Sequence, residues 1–156
     1  MRLRPGDPAP DFQLLDADEN PRTLMEFRGH RVVVYFYPAA GTPGCTTQAT
    51  DFQNDLEDFR AAEIAVVGVS PDTTADLRRF RDEKALSFPL LSDPHHEVSS
   101  AYGAWGEKTT YGKKSVGVIR STFVLDDRGT ILDAQYNVRA KRHVAKLLAG
   151  LTDQPA

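Results

Sequence analysis

Residues 32–45 read Val-Val-Val-Tyr-Phe-Tyr-Pro-Ala-Ala-Gly-Thr-Pro-Gly-Cys. Val32–Tyr37 is an apolar run, β-branched first and aromatic after, and Pro38 closes it. No polar residue alternates within it, which predicts a central strand covered on both faces. Thr42 then offers a helix N-cap and Pro43 a first helical residue. Cys45, Ala49, Phe52, Leu56 and Phe59 recur at intervals of three and four, one stripe along one helix. Ile64–Val69 repeats the apolar run. Strand, helix and strand together predict a parallel, right-handed βαβ unit.

Outward from this unit the pattern is less regular. Pro5, Pro8 and Pro10 make the first eleven residues an extended arm. Phe12–Asp16 and Thr23–Phe27 are expected as short strands around a polar turn. A helix is expected from about Thr73 to Lys84, a short buried strand at Phe88–Leu91, and a helical turn or two at Glu97–Tyr102. Residues 103–115 are rich in Gly, Lys and Thr and read as a loop. Arg120–Leu125 and Thr130–Tyr136 form a hairpin around Asp126–Gly129, and an amphipathic helix spans Ala140–Leu151. The sum is an α/β fold, a central mixed β-sheet flanked by helices, in a single domain over residues 1–156.

Composition narrows the function. The 156 residues are 40% hydrophobic and 26% charged, with 19 basic against 22 acidic side chains and a net charge of −3. No basic excess recommends nucleic acid or an anionic membrane surface. One cysteine excludes an intramolecular disulfide, a Cys-rich zinc site and a CxxC oxidoreductase. The opening MRLRPGD puts Pro5 and Gly6 where a signal peptide needs apolar residues, and no run is long enough to span a membrane. A reducing, cytoplasmic setting is expected. His95 and His96 would point about 100° apart on a helix, which favours a solvated helix start over a metal site. Arg139, Lys141 and Arg142 crowd a helix N-terminus, where the dipole disfavours cations.

Cys45 stands apart from an ordinary core cysteine. It follows a buried strand at the third position of a helix, where backbone N–H groups lack intrahelical partners and the dipole favours an anion. Open α/β sheets bind ligands at this carboxyl edge. A thiol of ordinary pKa, about 8.5, is only a few per cent ionised at neutral pH. The helix end supplies roughly 0.3–1 kcal/mol towards ionisation, so a cation is also required. Arg120, opening a strand after a long loop, is the candidate.

Pro38, Thr42 and Cys45 fit Pro-x-x-x-Thr-x-x-Cys, and the stretch resembles the peroxiredoxin signature. YFYPAAGTPGCTTQATDF (35–52), FPLLSD (88–93), AYGAWGEK (101–108) and IRSTFVLDDRG (119–129) are similar to the Q-type, or bacterioferritin-comigratory-protein, subfamily. The resemblance runs from Gly6 to the last helix. It implies a thioredoxin-like fold and a thiol-dependent peroxidase that reduces hydrogen peroxide and organic hydroperoxides without metal or cofactor. It casts Cys45 as the peroxidatic cysteine, Thr42 as a hydrogen-bond partner of sulfur and peroxide, Arg120 as the group that stabilises the thiolate, and Pro38 as the shield at the loop's start. Gly44 contributes backbone N–H, and Gln48 falls where the subfamily has Glu or Gln near the pocket. Many members carry a resolving cysteine five residues after the first. Here that place is Thr50, and residues 73–84, where others keep it, contain none. A one-cysteine enzyme is implied, its sulfenic acid resolved by an external thiol such as thioredoxin, glutaredoxin or glutathione. A monomer or weak dimer is expected. The alternative is a non-catalytic redox sensor or thioredoxin-fold binding protein.

Overall fold

The apolar run forms strand β3 (Arg31–Phe36), and its side chains divide strictly by parity. Val33, Tyr35 and Tyr37 enter one core, and Val32, Val34 and Phe36 enter another. That is the two-faced burial expected of a strand with no polar alternation. The computed structural model describes residues 2–110 and 112–152. Its main sheet runs in the order β2-β1-β5-β4-β3-β8-β9, with β1 Gln13–Asp16, β2 Pro21–Thr23, β4 Ile64–Ser70, β5 Leu90–Ser92, β8 Ser121–Leu125 and β9 Ile131–Gln135. β3, β4 and β5 are parallel neighbours, and β8 lies antiparallel against β3.

The helix between β3 and β4 is α1 (Pro43–Asn54), followed after Asp55 by α2 (Leu56–Ala61). One continuous helix was expected. Asp55 interrupts it with φ −99° and ψ 6°, a residue type that prefers caps and turns. The stripe survives, since Cys45, Ala49, Phe52, Leu56 and Phe59 are all at most 4% exposed. Phe52 stacks on Tyr35 with ring centroids 4.5 Å apart, and truncating such a residue to Ala costs about 3–5 kcal/mol. Helices α3 (Thr74–Lys84) and α5 (His143–Thr152) cover the same face. Helix α4 (Glu97–Ala101) packs Val98 into the opposite core.

Three further expectations need correction. Residues 103–115 are not a loop: β6 (Trp105–Thr110) and β7 (Lys113–Val118) form a two-stranded antiparallel hairpin separate from the main sheet. Gly112, at φ +79°, makes its turn. Thr23–Phe27 is not a strand either. Pairing stops at Thr23, whose N–H donates to Glu26 Oε1 at 3.0 Å, and Leu24–Phe27 coils into a 3-10 turn. The buried strand lies two residues later than Phe88, at β5.

Candidate active site

β3 delivers the chain to the carboxyl edge of the sheet. The last pairing bond on its β4 side is Tyr37 N–H to the Val69 carbonyl, 3.1 Å. Pro38 has no N–H to continue it. The loop to Thr42 turns back, and α1 begins with Thr42 as N-cap, Pro43 at the first position and Cys45 at the third. β8 starts at the same edge because Phe36 pairs with Ser121. Arg120, one residue ahead of β8, therefore arrives beside the start of α1, and Val138 N–H holds its carbonyl at 2.9 Å.

The side chains converge there. Arg120 Nη2 donates to Cys45 Sγ at 3.3 Å, and Nη1 donates to Gln48 Oε1 at 2.7 Å. A guanidinium is a planar fork. One arm is pinned to an amide on the next turn of α1, so the other is aimed at sulfur. Pro43 has no N–H and the first helical N–H groups have no intrahelical acceptor, so the Gly44 and Cys45 amides add to the positive surroundings. Among the described residues Arg120 is the hydrogen-bond partner of the sulfur. Cys45 is 1% exposed, within the core that holds Tyr35 and Tyr37. Burial pushes both tyrosine hydroxyls well above the usual range, so they stay protonated.

Gly44 has a steric reason to be glycine. A Cβ there would sit 3.1 Å from Arg120 Nη2. Gln48 is fully buried, and its free Nε2 has no hydrogen-bond partner. Its contact is with Arg120, not with open space. The expected Thr42–sulfur hydrogen bond is absent: the hydroxyl donates instead to the Ala39 carbonyl at 2.7 Å, closing the loop on itself. That spends its proton and leaves lone pairs to accept. The Thr50 hydroxyl donates back to the Thr46 carbonyl, 2.8 Å.

Two neighbours were not legible from the motif. His143, the first residue of α5, is buried and lies 2.9 Å from the Thr122 hydroxyl through Nε2. Burial first, and the Arg120 cation second, lower its pKa to about 4. Asp72, between β4 and α3, accepts from the Ala40 N–H at 2.8 Å. A histidine directly after an exposed basic pair, and a Ser-Pro-Asp step at a strand's carboxyl end, were the available signals. His96 does not bind beside His95: its ring stacks on Trp105, centroids 3.7 Å apart. Arg78 and Arg81 reach the β1–β2 turn, at Ala17 O and Asp18.

A groove of about 1150 Å³ opens elsewhere, lined by His30, Arg31, Asp133 and Lys146 among others. It lies where β3 begins, roughly 17–20 Å of strand from the Cys45 edge, and holds no nucleophile of the cysteine kind.

The AhpC/TSA family pattern matches residues 5–134. A relative from Mycobacterium tuberculosis named as a peroxiredoxin is 60% identical over 151 residues, covering 97% of this chain and 96% of its own length. Peroxiredoxin Bcp of Escherichia coli is 43% identical over 129 residues, 83% of each chain. Among solved structures, the chain is similar to the bacterioferritin comigratory protein of Xanthomonas campestris, studied for alkyl peroxide reduction. The TM-score is 0.86 and the identity 34%, over 93% of this chain and 92% of that one. A cysteine-to-serine variant of Xylella fastidiosa PrxQ superimposes with TM-score 0.91 at 28% identity, over 98% of each.

Proposed function

The chain belongs to the AhpC/TSA family as a peroxiredoxin of the Q type, a thiol-dependent peroxidase, and from that premise we propose that Cys45 is its peroxidatic cysteine, with Arg120 and Thr42 acting on the peroxide. The observation that carries this reading is the Arg120 fork, one arm on Gln48 and the other on Sγ. It puts a cationic hydrogen-bond donor 3.3 Å from the sulfur. A core cysteine needs no such partner.

The chemistry follows from the donors. The Cys45 thiolate attacks the terminal oxygen of R–O–O–H, the O–O bond breaks, and RO⁻ leaves to be protonated. The cysteine becomes a sulfenic acid. Charge moves from sulfur to the leaving oxygen, so donors already fixed at that edge stabilise the transition state without reorganising. In this reading Arg120 and the Gly44 and Cys45 amides are those donors. Thr42 Oγ1, its proton committed to Ala39, accepts from the O–H of the peroxide. Gln48 works through Arg120 as a positioning residue, and Pro38 ends the strand so that the loop can fold over the sulfur.

With one cysteine in the chain, the return half-reaction needs an external thiol. Sulfenic acid and R′SH give a mixed disulfide and water, and a second thiol releases Cys45. We read the enzyme as one thioredoxin-like domain over residues 1–156, monomeric or weakly dimeric, working in a reducing, cytoplasmic compartment. No described helix is long and apolar enough to cross a membrane. Steady-state peroxide consumption with dithiothreitol, thioredoxin, or glutaredoxin plus glutathione tests the reading. Wild type sustains turnover with at least one donor and Cys45→Ser with none. A single stoichiometric oxidation in wild type would instead mean a sensor.

A further inference from the structure

The loop from Pro38 to Thr42 carries no regular structure, yet it fixes where α1 begins. Among the described residues, one side chain from outside the loop hydrogen-bonds to it. Asp72 Oδ2 accepts from the Ala40 N–H at 2.8 Å and from the Ser70 hydroxyl at 2.7 Å. The carboxylate is itself anchored. Ser70 ends β4 and is 1% exposed. Its carbonyl receives the Asp93 N–H at 2.8 Å, and the Asp72 carbonyl receives the Ser92 hydroxyl at 2.5 Å. Asp72 is therefore tied to the ends of β4 and β5 on one side and grips the loop on the other. Within the loop the restraint passes on: Ala39 O takes the Thr42 hydroxyl, and Thr42 O takes the Thr46 N–H at 2.8 Å inside α1. Ala40 also packs against the core that contains Cys45.

We propose that Asp72 is a positioning residue for the peroxide step, a latch that holds the Pro38–Thr42 loop so that Thr42, Cys45 and Arg120 converge. The proposal rests on the assignment of Cys45 and Arg120 above. Both of its hydrogen bonds end on the same oxygen. A neutral amide oxygen can accept both, so the latch works by hydrogen-bond geometry and Asp72→Asn should keep most of it. Asp72→Ala leaves the Ala40 N–H without its acceptor and lets the loop drift, and a misplacement of about 1 Å costs up to ~10²-fold in a positioned reaction.

The test uses two rates on the reduced full chain. One is Cys45 oxidation by hydrogen peroxide. The other is Cys45 alkylation by iodoacetamide, which needs a reactive sulfur but no Thr42 or aligned leaving group. Asp72→Ala should slow oxidation by ~10- to 100-fold while alkylation stays the same or rises, and Asp72→Asn should return most of the oxidation rate. Oxidation at the wild-type rate in Asp72→Ala, an equal fall in both rates, or an Asn variant as slow as Ala would each overturn the latch. If Asp72→Ala does not fold, Ser70→Ala removes the hydroxyl that aims the carboxylate. It should slow oxidation several-fold with alkylation unchanged, and an unchanged oxidation rate there would overturn the proposal. A Cys45→Ser chain that still turned over would sink the functional reading itself, which separates the two failures.

Discussion

Arg120→Lys separates charge from shape at the sulfur. In the native arrangement Nη2 lies 3.3 Å from Sγ while Nη1 lies 2.7 Å from Gln48 Oε1. A cation at this distance attracts the thiolate that reacts with peroxide. An ammonium placed at the same spot keeps that attraction. It loses the fork, because one Nζ cannot hold the Gln48 amide and meet the departing oxygen together. Removing one preorganised donor where charge develops costs about 10²–10³-fold, or about 2.7–4 kcal/mol. Stopped-flow oxidation by hydrogen peroxide should fall by that factor, while alkylation, which needs the charge alone, stays within ~3-fold because the attraction is kept. A Gln48→Met change closes a cycle: it should cost less in the lysine background than in wild type, since Gln48 acts through the fork. A lysine variant oxidised at the wild-type rate would place Arg120 outside the reaction. Additive Gln48 and Arg120 effects would refute the positioning of one by the other.

Gly44→Ala brings a methyl to 3.1 Å from Arg120 Nη2. It should slow peroxide oxidation ~3- to 10-fold by displacing the guanidinium without lowering Tm, since alanine is the better helix former. His143 should make the fold acid-sensitive. Its pKa is lowered to about 4 by burial and by Arg120, so the unfolded chain takes up a proton near pH 6.5 that the fold refuses. Stability is lost as pH falls from about 6.5 to about 4, and is flat in this term below that. The ceiling is ~3 kcal/mol, reduced by solvent screening. Urea titrations at pH 7 and 4.5 should show a larger loss for wild type than for His143→Gln, and equal losses would contradict the assignment. One equivalent of peroxide with dimedone should add one label per chain at Cys45, and excess peroxide without thiol should drive the same residue to sulfinic and sulfonic acid. An intact mass with no adduct and full recovery of thiol would exclude the external-thiol cycle.

Legibility in the sequence tracked the size of the apolar signal. β3, β4 and the stripe of α1 stood out because burial on both faces, or on one helical stripe, leaves a dense apolar pattern. The β6–β7 hairpin left little: only its base meets the core, through Trp105 and Val118, while Glu107, Lys113, Lys114 and Val116 are exposed, so no alternating apolar face runs along it and only Gly112 marked its turn. The 3-10 turn at Leu24–Phe27 was signalled by Thr23 and Glu26 but outweighed by Leu24, Met25 and Phe27. Within the site, Cys45 and Arg120 followed from helix-end physics and resemblance. The direction of the Thr42 hydroxyl, and the bond from Asp72 to Ala40 across 32 positions, were invisible, because a single side chain meeting a distant backbone group leaves no periodic trace.

The burial of Cys45 divides the cycle by the size of the caller. On the proposed function a peroxide need bring only its terminal oxygen to a sulfur that is 1% exposed. A folded protein thiol would instead have to bring a whole surface against it. If the external thiol is a protein's, we expect reduction to require the first turn of α1 to part, with the Thr46–Thr42 bond of 2.8 Å among those released. At saturating protein reductant we then expect this opening, not the exchange chemistry, to set the clock. Two unrelated protein reductants should converge on one maximal turnover, a speed written into the helix and not into either partner.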